Sequence, residues 1–403
     1  MNANDMPLDN LKVLELGQLL AGPTVGTILG YYGADIIKIE PPGQGDPIRG
    51  WRHLNNGTSY WWYSLGRNKR SVTLNLREPE GRDLVRKLIP QMDVLVENFR
   101  PGVMENWGLS PDELHKLNPG LVIVRISGYG QTGPLANKPG FASVCEGFSG
   151  FRFINGTPGE VPVRPNLSIG DTIAGMHGFM GLMIALWQRQ KAGPSQGKGQ
   201  VVDVALYESM FNLLESVVPE YAATGAVRQP SGSTLTGIVP TNTYRTRDGK
   251  FLIIGGNGDS IFQRLMRTAG RPDMAQNPAM ADNAGRVKHE AEIDAALANW
   301  CSQHDMSTLL EKLENARVPV GPIYSAEDIF NDPHYRARGM LEEVDIGNGE
   351  STTIPAYSPK LSATPGATRW AGPTLGAHNT EIYRDLLGLD EAEMASLKAK
   401  GII

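Results

Sequence analysis

Cysteine is scarce in this chain: Cys145 and Cys301 are the only two in 403 residues. They lie too far apart for a disulfide framework and lack the paired spacing of a zinc site, so no metal centre is expected. Each reads as a buried core thiol, and their free state suits a cytoplasmic protein. Charge of one sign is also missing. The 38 Lys and Arg stand against 43 Asp and Glu, net -5, and the cations are scattered. Neither nucleic acid nor an anionic membrane is therefore an expected partner, and any anionic ligand must be held by a local site. Long apolar runs are few. Residues 173–187 form the best of them, short and broken by glycine, while residues 1–10 are polar and acidic and lack the regions of a signal peptide. No membrane span is expected. Phosphate fingerprints are absent as well, since the first turn reads Gly17-Gln-Leu-Leu-Ala-Gly-Pro23 and no Walker A sequence occurs. That disfavours a dinucleotide or ATP site.

What is present is the pattern of an α/β protein too long for one simple core. A strand at 11–16, a helix at 23–32 and a strand at 34–40 make a strand-helix-strand unit, which implies a parallel sheet. Further strands are expected at 94–97, 121–127 and 200–206, closing on glycine-bearing loops that form one ligand-binding edge at their carboxyl ends. Arg67, Lys69 and Arg70 sit in a basic turn, and the spacing predicts three cations beside that edge. The aromatic cluster Tyr60-Trp-Trp-Tyr63 is expected to pack in the core. A polar, Gly- and Pro-bearing run at 225–237 reads as a linker. It divides residues 1–224 from a smaller piece at 238–330, which opens with a hairpin over 244–254 around Asp248-Gly249. Residues 331–403 hold short strands and a helix at 380–387, too little for a domain, and are expected to return to the first one.

One carboxylate stands out. Asp171 opens a run to about residue 190 that is apolar on nearly every face, the signature of a helix buried inside a domain. As an N-cap it would accept bonds from the first free N–H groups. Those same groups would also keep a carboxylate ionised in a cleft, where it can attack an activated acyl group.

Several segments then resemble one family: Leu20-Ala-Gly-Pro23, Ala34-Asp-Ile-Ile-Lys-Ile-Glu-Pro-Pro-Gly-x-Gly-Asp46, Asn68-Lys-Arg-Ser71, Val96-Glu-Asn-Phe-Arg-Pro-Gly102, Gly128-Tyr-Gly-Gln-Thr-Gly-Pro134 and Gly170-Asp171. Together they are similar to the class III CoA-transferases of the CaiB/BaiF type, over essentially the whole chain. The resemblance implies a large Rossmann-like domain built from both chain ends, a small α+β middle domain, and two subunits interlocked as a homodimer. It implies that Asp171 attacks the thioester of an acyl-CoA, passing through a mixed anhydride and an aspartyl-CoA thioester. Coenzyme A thioesters are then substrates, with no permanently bound cofactor. The resemblance further implies that Gly255, Gly256, Asn257 and Gly258 form a glycine loop closing over the aspartate. Gln18, Leu19, Ala21, Leu74, Arg77, Asn98, Phe99, Arg100 and Tyr129 are the implied CoA contacts. The chain departs from the pattern at Pro41, where many members carry a basic residue, and at Phe141-Ala142, where many carry Tyr-Asp.

The expected activity is CoA transfer from succinyl-CoA or a similar donor to a dicarboxylic acid, with Arg152, Arg164, Asn166 and Ser168 suited to a second carboxylate. An alternative is an α-methylacyl-CoA racemase-type epimerase, which needs two acid/base groups. Its histidine is missing from Pro139-Gly-Phe141, and His177 reads as a core histidine. A third reading is a non-catalytic CoA-binding scaffold, against which Asp171 and the glycine loop together argue.

Overall fold

The computed structural model describes residues 6–193 and 197–403. The first five residues of the acidic N-terminal stretch, and the middle of the glycine-rich turn expected at 193–199, lie outside the described residues.

Short β-branched runs form the sheet: β1 (Lys12–Glu15), β2 (Asp35–Glu40), β3 (Lys69–Thr73), β4 (Val94–Glu97), β5 (Val122–Ser127) and β6 (Val201–Ala205). All neighbours pair parallel, in the order β3-β2-β1-β4-β5-β6. The expected parallel sheet is therefore present. Successive side chains point to opposite faces of a strand, and here both faces are covered, which explains why the strands are apolar runs rather than alternating ones. Val13, Ile36, Val94 and Val124 pack under α1 (Ala21–Tyr31). Leu14, Ile37, Leu95 and Ile123 face α2 (Pro79–Leu88) and α3 (Pro111–Leu117).

By internal contacts the chain forms two compact units. The first takes in residues 1–151, 165–218 and 334–403 and holds the sheet. Its last segment adds an antiparallel hairpin, Leu341–Gly347 with Glu350–Pro355, and buries Ile382 and Tyr383 on the sheet, the Tyr383 hydroxyl donating to the Thr73 carbonyl at 2.6 Å. The second unit gathers residues 152–164 with 219–333. Its antiparallel strands β7 (Thr241–Arg245), β8 (Phe251–Gly255) and β9 (Val320–Pro322) run in the order β9-β8-β7 and cover a core of Tyr244, Leu252, Ile254, Phe262 and Leu309. The hairpin turns at Gly249, whose φ of 77° suits glycine. Arg152 and Arg164 belong to this second unit, not to the one that carries Asp171.

Candidate active site

Strand order reverses direction between β1 and β4, so the loops leaving their carboxyl ends diverge and open a crevice. The amide of Asn98 holds the first loop from both sides, its Oδ1 accepting from Gln18 N at 2.8 Å and its Nδ2 donating to Gln18 O at 2.9 Å. A Cβ on Gly17 would come within 2.7 Å of that oxygen, so the loop requires glycine there. Leu19, at φ 63°, donates its N–H to buried Asp46 at 3.1 Å, and Asp46 in turn accepts from buried Lys38 at 2.8 Å. Lys38 also donates to the Gly17 carbonyl. The Lys-Ile-Glu…Gly-Asp motif is thus the scaffold of this loop.

Beside it lies a cleft of about 480 Å³ lined by Gln18, Pro41, Leu74, Arg77, Phe99 and Trp107, among others. Asn98 sits behind the loop, Ala21 begins α1, and exposed Arg100 follows Phe99. Tyr129 is instead buried in an aromatic group with Phe148 and Tyr207, ring centroids 5.3 and 6.0 Å away. Arg77 and Arg100 form no ion pair among the described residues. The basic turn does not supply the expected cations to this edge, because it enters the sheet at the amino end of β3 and its charges are already paired. Lys69 lies 2.9 Å from Glu15, Arg70 pairs with Glu381 at 2.7 Å, and buried Arg67 donates to the Pro355 carbonyl at 2.7 Å.

The helix with Asp171, α5, runs Ile169–Ala192 and is preceded by α4 (Ala142–Phe148). Asp171 is not its cap. Thr172 N already bonds to Ser168 O at 3.1 Å, so the ladder starts earlier and half-buried Asp171 occupies the third helical position. The helix dipole still favours its negative charge there. Gly170 N donates to Glu146 of α4 at 3.3 Å, and a Cβ on Gly170 would stand 3.1 Å from that of Ala142. Glu146 is fully buried and was not singled out in the sequence; a lone acid within a short apolar helix is the signal that marks it. Burial, with the charges of Asp171 and Glu146 adding to it, pushes the Cys145 thiol up to about 11. Cys145 therefore stays protonated next to Asp171 and is no rival nucleophile.

The helix is buried on one face rather than nearly all. Gly170, Ala174, Gly175, Gly178, Leu182 and Ala185 pack inward, and a Cβ on Gly175 would meet Thr24 of α1 at 2.6 Å. Met176, Met180, Ile184 and Trp187 are 51–68% exposed along the opposite stripe. At 24 residues, with an 18-residue stretch of mean hydropathy 1.3, the helix is also longer than the sequence suggested, enough by length and composition to cross a bilayer, although its small-residue face packs on α1 and the sheet. His177 Nδ1 lies 3.0 Å from the Ile173 carbonyl, hydrogen-bonded as expected but half-buried rather than in the core.

A second cavity, about 460 Å³, adjoins the first turn of α5 and is lined by Arg52, His53, Tyr60, Trp61, Ser168 and Thr172, among others. Of the aromatic cluster, Trp62 and Tyr63 are buried as expected, whereas Tyr60 and Trp61 face this space. Arg52 and His53 were not singled out in the sequence. They precede a small hairpin, Leu54–Asn55 with Thr58–Ser59, whose Asn56-Gly57 turn has φ of 47° and 82°. Asn-Gly is the strongest short-range hairpin signal, and it marks this spot.

In the second unit, Gly255 ends β8 and Asn257 and Gly258 lead into α6 (Asp259–Thr268). Gly256 is required by packing: a Cβ would lie 2.5 Å from Leu265. The N–H groups of Gly255 and Gly256 donate to Pro319 and Pro240 carbonyls at 3.0 and 2.8 Å, whereas those of Asn257 and Gly258 make no backbone hydrogen bond among the described residues. Fully buried Arg286 fixes the loop, donating to Asn257 O at 2.6 Å and to Asp259 at 2.8 Å.

A sequence model of CoA-transferase family III matches residues 8–379. A succinyl-CoA–D-citramalate CoA-transferase of Chloroflexus aurantiacus is 46% identical over 401 residues, 98% of either chain. The beta subunit of a succinyl-CoA–L-malate CoA-transferase from the same organism is 37% identical over 402 residues, covering 99% of this chain and 98% of its own. The crystal structure of a CAIB/BAIF family protein from Brucella suis superposes with a TM-score of 0.83 at 33% identity, covering 94% of this chain and 99% of that one.

Proposed function

The chain belongs to CoA-transferase family III, and on that premise we propose that it moves coenzyme A from succinyl-CoA to a dicarboxylic acid of the citramalate or malate kind, with Asp171 as the nucleophile. The observation that carries the acceptor class is the 46% identity, over nearly the full length of both chains, to a transferase acting on D-citramalate.

In the first step Asp171 attacks the thioester carbonyl and expels the CoA thiolate, leaving a mixed anhydride with the succinyl group. The thiolate then attacks the aspartyl carbonyl, releasing succinate and leaving an aspartyl-CoA thioester. The acceptor carboxylate attacks that carbonyl, expels the thiolate again and forms a second anhydride. Attack of the thiolate on the acceptor's acyl carbon yields the new acyl-CoA and frees Asp171. Every step exchanges an acyl group between carboxylate and thiolate, so CoA enters as a substrate and the sequence of steps calls for no resident cofactor or metal.

A carboxylate is a weak nucleophile in water, and the first turn of α5 answers this by keeping Asp171 charged while half-buried. The glycine loop offers donors of the kind an oxyanion calls for, since the N–H groups of Asn257 and Gly258 make no backbone hydrogen bond among the described residues. The crevice after β1 and β4 is the CoA site in this reading, with Gln18, Leu74 and Phe99 beside the nucleotide and Arg77 and Arg100 on its phosphates. Leu19, Ala21 and Asn98 shape the loop that meets it, and Tyr129 backs the acyl end. The enzyme works in the cytoplasm as an interlocked homodimer; the exposed stripe on α5 supports a covering subunit.

The test is to incubate the protein with succinyl-CoA and a panel of carboxylic acids. New acyl-CoA is expected with citramalate or malate, and Asp171→Ala should abolish it. Hydroxylamine should trap a labelled aspartyl adduct in the wild type alone. Full transfer by the Ala variant would overturn the role of Asp171.

A further inference from the structure

The cavity at the start of α5 carries a charge that the transfer chemistry has not used. Its walls combine the rings of Tyr60 and Trp61 with the guanidinium of Arg52, and Ser168, Ile169 and Thr172 contribute the turn of helix that bears Asp171. Arg49, in the same loop, forks onto Glu40 at 2.7 and 2.8 Å. Arg52 has no such partner among the described residues, and its guanidinium carbon stands 4.4 Å over the Trp61 ring.

The backbone aims this side chain. Arg52 has φ 61°, the left-handed region that non-glycine residues enter at a cost, and such strain is characteristic of functional positions. Neighbouring bonds hold it in place. Ser59 Oγ donates to Trp51 O at 2.6 Å and accepts from Trp61 N at 3.0 Å, and Tyr60 N donates to His53 O at 3.1 Å. The cation is thus fixed at both flanks, stacked on an aromatic ring, and left with its hydrogen-bonding fork open.

We propose that Arg52 is the receptor for the carboxylate that does not react, in donor and acceptor alike, and so the residue that selects dicarboxylic over monocarboxylic acids. The inference rests on the transfer reading. When one carboxylate of a diacid joins Asp171, the other stays ionised in a partly aromatic cavity, and a buried carboxylate is costly unless a cation pairs with it. A guanidinium meets it with two parallel bonds, a geometry that a monocarboxylic acid cannot use.

The experiment compares wild type with Arg52→Met and Arg52→Lys, using succinyl-CoA as donor and offering malate and glutarate each as free diacid and as monomethyl ester. In a ping-pong reaction kcat/KM for the acceptor reports only its own half-reaction, so effects on the donor cancel. The diacid-to-ester ratio of kcat/KM should fall about 10- to 100-fold in Arg52→Met, the size of a hydrogen-bonded charge, with part of it restored in Arg52→Lys. Arg52 is exposed and forms no ion pair among the described residues, so both variants are expected to keep the wild-type circular dichroism. An unchanged ratio overturns the proposal, as does an equal loss with diacid and ester, which would mark Arg52 as a CoA contact. If the wild type transfers CoA to no acid at all, the transfer reading itself fails; transfer with a ratio indifferent to Arg52 sinks this inference alone.

Discussion

Glu97 closes β4 and shows how one residue ties sheet to cleft. Its Oε2 accepts from Phe99 N at 2.7 Å, fixing the residue that lines the crevice, while Oε1 accepts from Arg125 Nε at 2.6 Å. Burial pushes this carboxyl up to about 7, against Arg125 and the Phe99 N–H, which favour its charged form. An acid raised above its unfolded value holds its proton longer in the folded chain. The stability it contributes is complete below the unfolded carboxylate range and is lost as pH rises through about 7. Glu97→Gln cannot ionise, so its stability relative to wild type should improve between about pH 5 and about pH 8, read from urea unfolding at both. A constant difference would mean that Arg125 keeps Glu97 charged throughout. Residues of this kind differ in how far sequence reveals them. Asp171 was legible because a long apolar run begins at it. Arg52 was not, since a charged residue in a turn looks like any solvated one until its lack of a partner is seen.

At the scale of elements, the strands were legible because strands buried on both faces are short apolar runs, and the helix of Asp171 was legible as a long one. Its exposed side was not, because composition cannot tell a face covered by the sheet from one left open. The basic turn misled for a related cause: its partners Pro355 and Glu381 come from the far end of the chain, where no local pattern announces them. The open stripe of α5 makes a direct prediction. Ile184 and Trp187 are 65% and 68% exposed, so Ile184→Asp with Trp187→Glu puts no charge into the core of one subunit. If that stripe is the dimer contact, the double variant, unfolded and refolded so that interlocking must occur anew, should run as a monomer in light scattering, with its far-UV circular dichroism unchanged. A variant that stays dimeric would place the contact elsewhere.

At the scale of the whole molecule, the crevice is assembled from both ends of the chain. Gln18 follows the first strand, Leu74 and Arg77 follow the third, and Gly401 lines the same cleft. The next residue, Ile402, is 2% exposed in the core that faces α2, and its carbonyl accepts from Asn75 N at 2.8 Å, beside Leu74. That bond fixes the segment from Leu74 to Arg77 from outside its own strand, and Arg77, proposed above to meet a CoA phosphate, forms no ion pair among the described residues. Removing residues 401–403 therefore frees an N–H, unpacks a core isoleucine and loosens one wall of the cleft, all far from Asp171 in sequence. The shortened chain should bind CoA at least about tenfold more weakly by calorimetry, the effect of losing roughly 1.4 kcal/mol. Its spectrum for the remaining sheet should persist, because β1 to β6 keep their own ladders. Replacing Ile402 alone by Ala should give a smaller loss, since the Asn75 bond runs to the backbone and survives the change. Undiminished CoA binding by the shortened chain would show that the crevice after β1 and β4 does not hold the phosphates of CoA, and would move the CoA site away from Arg77.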